Sequence, residues 1–119
     1  ACKNPYVRHI AHPTGRIIGR RPGYKPNIEK LMKLAEETNT ILEINANPKR
    51  LDLNAETVRK YPNVKLTINT DAHHTNHLEF MKYGVATAQK GFVTKDRVIN
   101  ALSRGEFKSL VENNIKLKK

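Results

Sequence analysis

The chemistry in this chain concentrates in Thr70-Asp71-Ala72-His73-His74. An Asp and a His two residues apart, just past an extended segment, can face one crevice, and in α/β proteins ligands bind in that crevice. A carboxylate oxygen with a neutral imidazole nitrogen suits Zn, Mn or Fe better than Ca or Mg alone. The same residues equally suit a polar strand-to-helix turn in which Asp71 caps the following helix. His12 is a third candidate. Pro13 ends the strand before it, so His12 occupies the same topological place as Asp71. A hydrolytic metal site needs at least three protein donors and an open position for water. One carboxylate and two or three imidazoles fall short of a multi-metal site. His12, Asp71 and His73 are therefore the expected metal-binding and catalytic residues. Glu43, Asn45 and His74 are expected behind them, with His74 and His77 read as rim residues that are structural or solvated. Glu43 is open to a second role as the partner of an arginine.

The elements that must position these residues read as alternating strands and helices. Tyr6–Ala11 is a first strand containing His9, and Thr14 to Pro26 is a Gly- and Pro-rich loop that Ile17 and Ile18 can anchor. No Gly-Lys-Ser/Thr terminus follows, so it is not a phosphate-cradling P-loop. Asn27 caps a helix from Ile28 to Thr38 whose Ile28, Leu31, Met32 and Ala35 share one face. Thr40–Ile44 is a second strand. A short helix from Asn54 to Lys60 follows, ended by Tyr61-Pro62. Val64–Ile68 is the third strand and His77–Tyr83 a helix. Val85–Ala88 is expected as a fourth strand. A helix capped by Thr94 and stopped near Gly105 comes next, then an amphipathic segment from Glu106 to Asn113 and a frayed Lys-rich tail. The alternation predicts an α/β fold with a mostly parallel sheet.

The 119 residues suit one domain or a piece of one, and 38% apolar residues without Trp make a lean core. Four parallel strands with so few apolar residues leave open edges, which suggests a piece of something larger. The net charge of +11, from 22 Lys and Arg against 11 Asp and Glu, favours a polyanionic partner. Arg16, Arg20, Arg21 and Arg50 lie on loops and suit bidentate phosphate contacts, or are simply solvated. A single Cys fits a reducing cytoplasm. No apolar run is long enough for a membrane helix.

Ile10-Ala11-His12-Pro13-Thr14-Gly15-Arg16-Ile17-Ile18-Gly19-Arg20-Arg21, then Leu42-Glu43-Ile44-Asn45-Ala46, Arg50-Leu51-Asp52-Leu53 and Thr70-Asp71-Ala72-His73, resemble the C-terminal part of a PHP (polymerase and histidinol phosphatase) domain. More narrowly, they resemble the PHP domain of bacterial family X DNA polymerases, and Met81-x-x-Gly84-Val85-x-Thr87-Ala88 with Val98-x-Asn100 extends the likeness over nearly the whole chain. The resemblance implies residues 1–119 as one partial PHP domain, the C-terminal portion of a distorted (β/α)7 TIM-like barrel with about four βα units. It implies a metal cluster, Mn or Zn, with His12 as the His-Pro ligand and Asp71 and His73 as the final pair. The family's early His-x-His, its middle His residues and its bridging Glu have no counterpart here, and Glu43 does not substitute for that Glu. The implied activity is metal-dependent phosphoester hydrolysis at DNA 3′ ends in repair. DNA, the remainder of the barrel and a polymerase domain are the implied partners, and the isolated piece is expected to be inactive. A non-catalytic basic DNA-binding piece and a small-molecule phosphatase such as histidinol phosphatase are the other readings. The breadth of the basic surface argues against the last.

Overall fold

The computed structural model describes residues 1–118, with side chains through Asn113; Lys119 and the side chains of the lysine-rich tail lie outside the described residues. Three short parallel strands form one sheet in the order β1 (His9–Ile10), β2 (Ile41–Asn45), β3 (Leu66–Asn69). Ile10 pairs with Leu42, and Leu42, Glu43, Ile44 and Asn45 pair with Leu66, Thr67, Ile68 and Asn69. Because side chains alternate across a strand, this register gives the sheet two unlike faces. Ile10, Leu42, Ile44, Leu66 and Ile68 line one, packed with Met32, Ala35, Val58 and Ala88. His9, Glu43, Asn45, Thr67 and Asn69 line the other.

Among the described residues four helices accompany the sheet: α1 (Ile28–Glu37), α2 (Ala55–Lys60), α3 (Met81–Lys90) and α4 (Arg104–Lys118). Asn27 and Asn54 cap the first two by accepting from the backbone N–H groups of Lys30 and Thr57, both at 2.9 Å. Arg97 is almost fully buried and fastens the end of α2. Its guanidinium donates to the carbonyls of Val58, Tyr61 and Val64 at 2.9–3.3 Å, placing a cation where helix carbonyls are left over.

Several sequence expectations change. The first strand holds two residues rather than six, because β2 begins only at Ile41, opposite His9, and beyond Ile10 the chain returning from β2 takes the edge. Asn45 N donates to Asp52 O at 2.6 Å and Leu53 N to Glu43 O at 2.8 Å. The helix expected over His77–Tyr83 is a 3₁₀ turn, Thr75–Phe80, running into α3. The expected strand Val85–Ala88 is part of α3, since Gly84 and Ala88, four apart, are the positions that bury against the sheet. Tertiary packing overrides the β preference of Val85 and Thr87. The fourth place in the sheet is instead a single parallel bridge between Leu66 and Val98. Beside it the Asn100 side chain accepts from Ile68 N at 3.1 Å and donates to Ile68 O at 2.8 Å. One amide thus satisfies a strand edge.

The helix expected from Thr94 is two 3₁₀ turns, Lys95–Arg97 and Ile99–Ala101. Gly105 begins a helix rather than stopping one. Ser103 and Glu106 form a reciprocal capping box, Ser103 N to Glu106 Oε2 at 2.8 Å and Glu106 N to Ser103 Oγ at 3.3 Å. The helix backbone continues to Lys118, where a frayed tail was expected.

Candidate functional site at the strand ends

The three strands run the same way, β1 ending three residues short of β2 and β3, and the segments leaving them carry the candidate residues. His12 leaves β1 with φ +29° and Asp71 leaves β3 with φ +54°, a left-handed backbone that non-glycine residues rarely adopt. What holds the first is Glu43, buried on the central strand. Its Oε2 accepts from His12 N at 2.6 Å and from Asn45 Nδ2 at 3.2 Å, and its Oε1 accepts from Asn69 Nδ2 at 3.0 Å. No arginine pairs with it among the described residues. Asn69 also donates to Thr67 Oγ1 at 3.1 Å, and that hydroxyl lies 2.7 Å from His9 Nε2. Partial burial holds the His9 imidazole below its usual pKa, with the Glu43 charge pulling the other way.

Asp52 fixes the loop after His12. Its Oδ2 accepts from Thr14 N, Thr14 Oγ1 and Gly15 N at 2.9–3.1 Å, while its buried Oδ1 has no partner among the described residues. Arg16 and Arg50 clasp the two loops reciprocally. Arg16 Nε donates to Arg50 O at 2.6 Å and its Nη2 to Leu51 O, and Arg50 Nη1 donates to Arg16 O at 3.4 Å. Arg50 Nε also binds Asp71 Oδ2 at 3.0 Å in a partly buried ion pair. Arg21 donates twice to Gly15 O, at 3.1 and 2.8 Å. Of the four candidate phosphate ligands, only the exposed Arg20 has no side-chain partner among the described residues.

His73 is exposed, and its Nδ1 lies 2.7 Å from Asp71 O. A carbonyl only accepts, so Nδ1 carries the proton and Nε2 of the neutral ring is left as a lone-pair donor. That is the usual way of fixing a ligating histidine. His77 Nδ1 accepts from His73 N at 3.2 Å while its ring stacks 4.8 Å from Phe80. His74 turns away and caps the following turn, accepting from Asn76 N at 3.3 Å.

The Asp71 and His73 side chains are close, with Oδ1 4.0 Å from the protonated Nδ1. Among the described residues no three His, Cys, Asp or Glu side chains gather as a metal-binding group. The donor chemistry fits a divalent transition metal as far as it goes, and at least one further donor is needed to complete such a site.

This chain is 48% identical over 116 residues to a Bacillus subtilis (strain 168) protein named DNA polymerase/3'-5' exonuclease PolX. The match takes in 96% of this chain and 20% of that protein, so the chain spans about a fifth of the relative's length. No protein-family model matches the chain. No helix among the described residues is long and apolar enough to cross a membrane.

Sequence reasoning missed the reach of Glu43 and the parts played by Asn69, Asp52 and Arg97. A signal for the first two was present. Glu43 and Asn45, like Thr67 and Asn69, are polar residues at i and i+2 within otherwise apolar strands, the mark of a shared polar face. Asp52 and Arg97 carry no such mark, because their partners are backbone groups set by the fold.

Proposed function

We propose that the chain is part of the PHP domain of a family X DNA polymerase, a metal-dependent phosphoesterase that removes nucleotides from DNA 3′ ends in repair. The observation that supports it most is the 48% identity, across nearly the whole chain, to a protein named as polymerase and 3'-5' exonuclease. On this reading β1, β2 and β3 are neighbouring strands of a (β/α)7 barrel, completed by the remainder of the domain and joined to a polymerase domain in the cytoplasm. Asp71 and the Nε2 of His73 would hold a divalent metal, Mn or Zn, with His12 and further donors. When bound, such an ion supplies Lewis acidity towards the phosphoryl oxygens.

The chain's own residues do the positioning. Arg50 fixes the Asp71 carboxylate through Oδ2 and leaves Oδ1 facing His73. The Asp71 carbonyl sets the His73 tautomer. Glu43 ties the His12 backbone to the end of β3. Arg16, Arg20, Arg21 and Arg50 supply positive charge for DNA phosphates.

The test uses the longer protein that contains this chain, single-stranded DNA labelled at its 5′ end, and Mn. Wild type should shorten the strand from its 3′ end. Asp71→Asn should lose more than the roughly 10- to 100-fold that removal of a supporting partner costs, with primer extension retained. Equal digestion by both proteins would overturn the assignment. A non-catalytic DNA-binding role is the second reading, favoured by the net charge of +11 and by the absence of a three-donor group among the described residues. It predicts DNA binding indifferent to chelator and no digestion in any metal.

A further inference from the structure

Two hollows adjoin Arg16. The first, about 330 Å³, is an open hollow bordered by the turn from Arg16 to Pro22, where Ile17 and Arg21 bridge across Gly19. The second, about 350 Å³, lies between Arg16, Leu51 and Ala55 on one side and Tyr83, Ala86 and Lys90 of α3 on the other. Arg16 is a wall of both, so they are neighbours. Neither is lined by an acidic residue. The first acidic residue in the sequence is Glu29. Of the nearby carboxylates, Asp52 is buried on the Thr14–Gly15 backbone, Asp71 is paired with Arg50, and Glu56 is exposed in the first turn of α2 beside Ala55, outside the lining.

The walls carry unused groups. Arg16 is held by Nε and Nη2, and its remaining N–H groups have no partner among the described residues. Arg20 and Lys90 are exposed. Tyr83 is 41% exposed; the Phe80 ring lies beside it, 6.1 Å between ring centres, and Lys82 Nζ sits 5.3 Å over one face, leaving the other for a base. The clasp between Arg16 and Arg50 ties the shared wall to the neighbouring loop, and a tethered side chain has less freedom to lose on binding.

An anion requirement, an aromatic ring and adjoining hollows each large enough for a small ligand group are the components of a single-strand nucleic-acid site. There, cations track the backbone while bases stack on aromatic side chains. We infer that the two hollows form a track for single-stranded DNA, with Tyr83 as the platform for an unpaired base and Arg16, Arg20 and Lys90 on the flanking phosphates. A duplex cannot use it, because its bases are already stacked. The inference rests on the reading of this chain as a DNA-handling piece, but it requires no metal and no hydrolysis.

Photocrosslinking in chelator tests it with the longer protein and an oligothymidylate carrying 5-iododeoxyuridine, a base analogue that joins to the aromatic ring it stacks on. The expected adduct is on the tryptic peptide Tyr83–Lys90. It should be lost in Tyr83→Ala, kept in Tyr83→Phe, and suppressed when the same strand is annealed to its complement. With the 119-residue chain, Tyr83→Ala should weaken binding about 5- to 150-fold. Lys90→Gln should lower the slope of log K against log salt by about 1. Lys33→Gln, at a lysine already paired with Glu29, serves as the control for charge loss alone. Adducts confined to other peptides, or wild-type affinity in Tyr83→Ala, would overturn the track. Digestion that depends on Asp71 while adducts fall elsewhere sinks the track and keeps the nuclease reading. Adducts at Tyr83 without digestion do the reverse.

Discussion

Glu43 brings three donors from three segments onto one buried carboxylate, and this decides how it answers to substitution. Glu43→Gln keeps the size but turns one acceptor into an N–H facing another N–H. A buried donor left unpaired costs about 1–3 kcal/mol. A loss of unfolding free energy of that size, read as a lower urea midpoint at unchanged slope, is the expected result; an unchanged midpoint would show that the carboxylate is not shared as described. His9 lies at the other end of the same polar face, and its pKa is lowered by burial. Folding therefore favours the neutral ring, and the unfolded chain takes up the proton first. The His9 contribution should be full above about pH 6.5 and decline as pH falls below it. Unfolding between about pH 7.5 and 5.5 should show the decline, and His9→Asn should flatten it. The residues of this region were unevenly legible. Asp71 and His73 stand out because they are two apart in the chain, whereas the Glu43 network joins residues 12, 43, 45 and 69, a grouping that only the sheet register creates.

Two glycines show how an element's surroundings set the sign of one substitution. Gly84 lies in α3 where a Cβ would meet Ile68 Cγ2 and, at 2.7 Å, Ala46 Cβ. The helix rests so closely on β2 and β3 that nothing larger fits. Gly84→Ala should destabilise by about 1–3 kcal/mol through overpacking. Gly105, in the first turn of α4, has nothing within 4 Å of the same position. Gly105→Ala should stabilise by up to about 1 kcal/mol, the ordinary helix preference for alanine. Thermal unfolding of both variants checks the contrast, and shifts of the same sign would mean that α3 does not pack as described. The same two places are where the element boundaries were hardest to read. Gly-Val-Ala-Thr-Ala alternates like a strand, and only contact with Ala46 and Ile68 makes it helical. The Ser103–Glu106 capping box was written plainly in the sequence, but Gly105 between its members reads as a stop. The Asn27 cap was legible because its signal and target lie within one turn, whereas the expected Thr94 cap makes no side-chain capping bond to its turn.

At the scale of the molecule, the sheet's two faces serve different ends. The helix-facing side closes a core from Ile10, Leu42, Ile44, Leu66 and Ile68. The other side gathers His9, Glu43, Asn45, Thr67 and Asn69 into a polar surface that runs to the strand ends. Alternation in parallel strands foretold the first face; the second follows from polar residues recurring at every other position. A sheet of this kind presents ligands at one end, and how many it presents is a property of the whole assembly rather than of any strand. On the proposed reading Asp71 and the Nε2 of His73 would supply two donors, and Arg50 already holds Asp71 Oδ2. Two donors bind a divalent transition ion weakly, because structural and catalytic sites take three or four protein ligands. Titration of the 119-residue chain with Mn, followed by calorimetry and by metal content after gel filtration, should therefore give weaker binding than the complete domain of the proposed reading. Asp71→Asn should lower affinity in both. Nanomolar retention of two or more ions by the short chain would mean that its own residues, or a second copy of it, complete the site, and the proposed dependence on the rest of a barrel would fall.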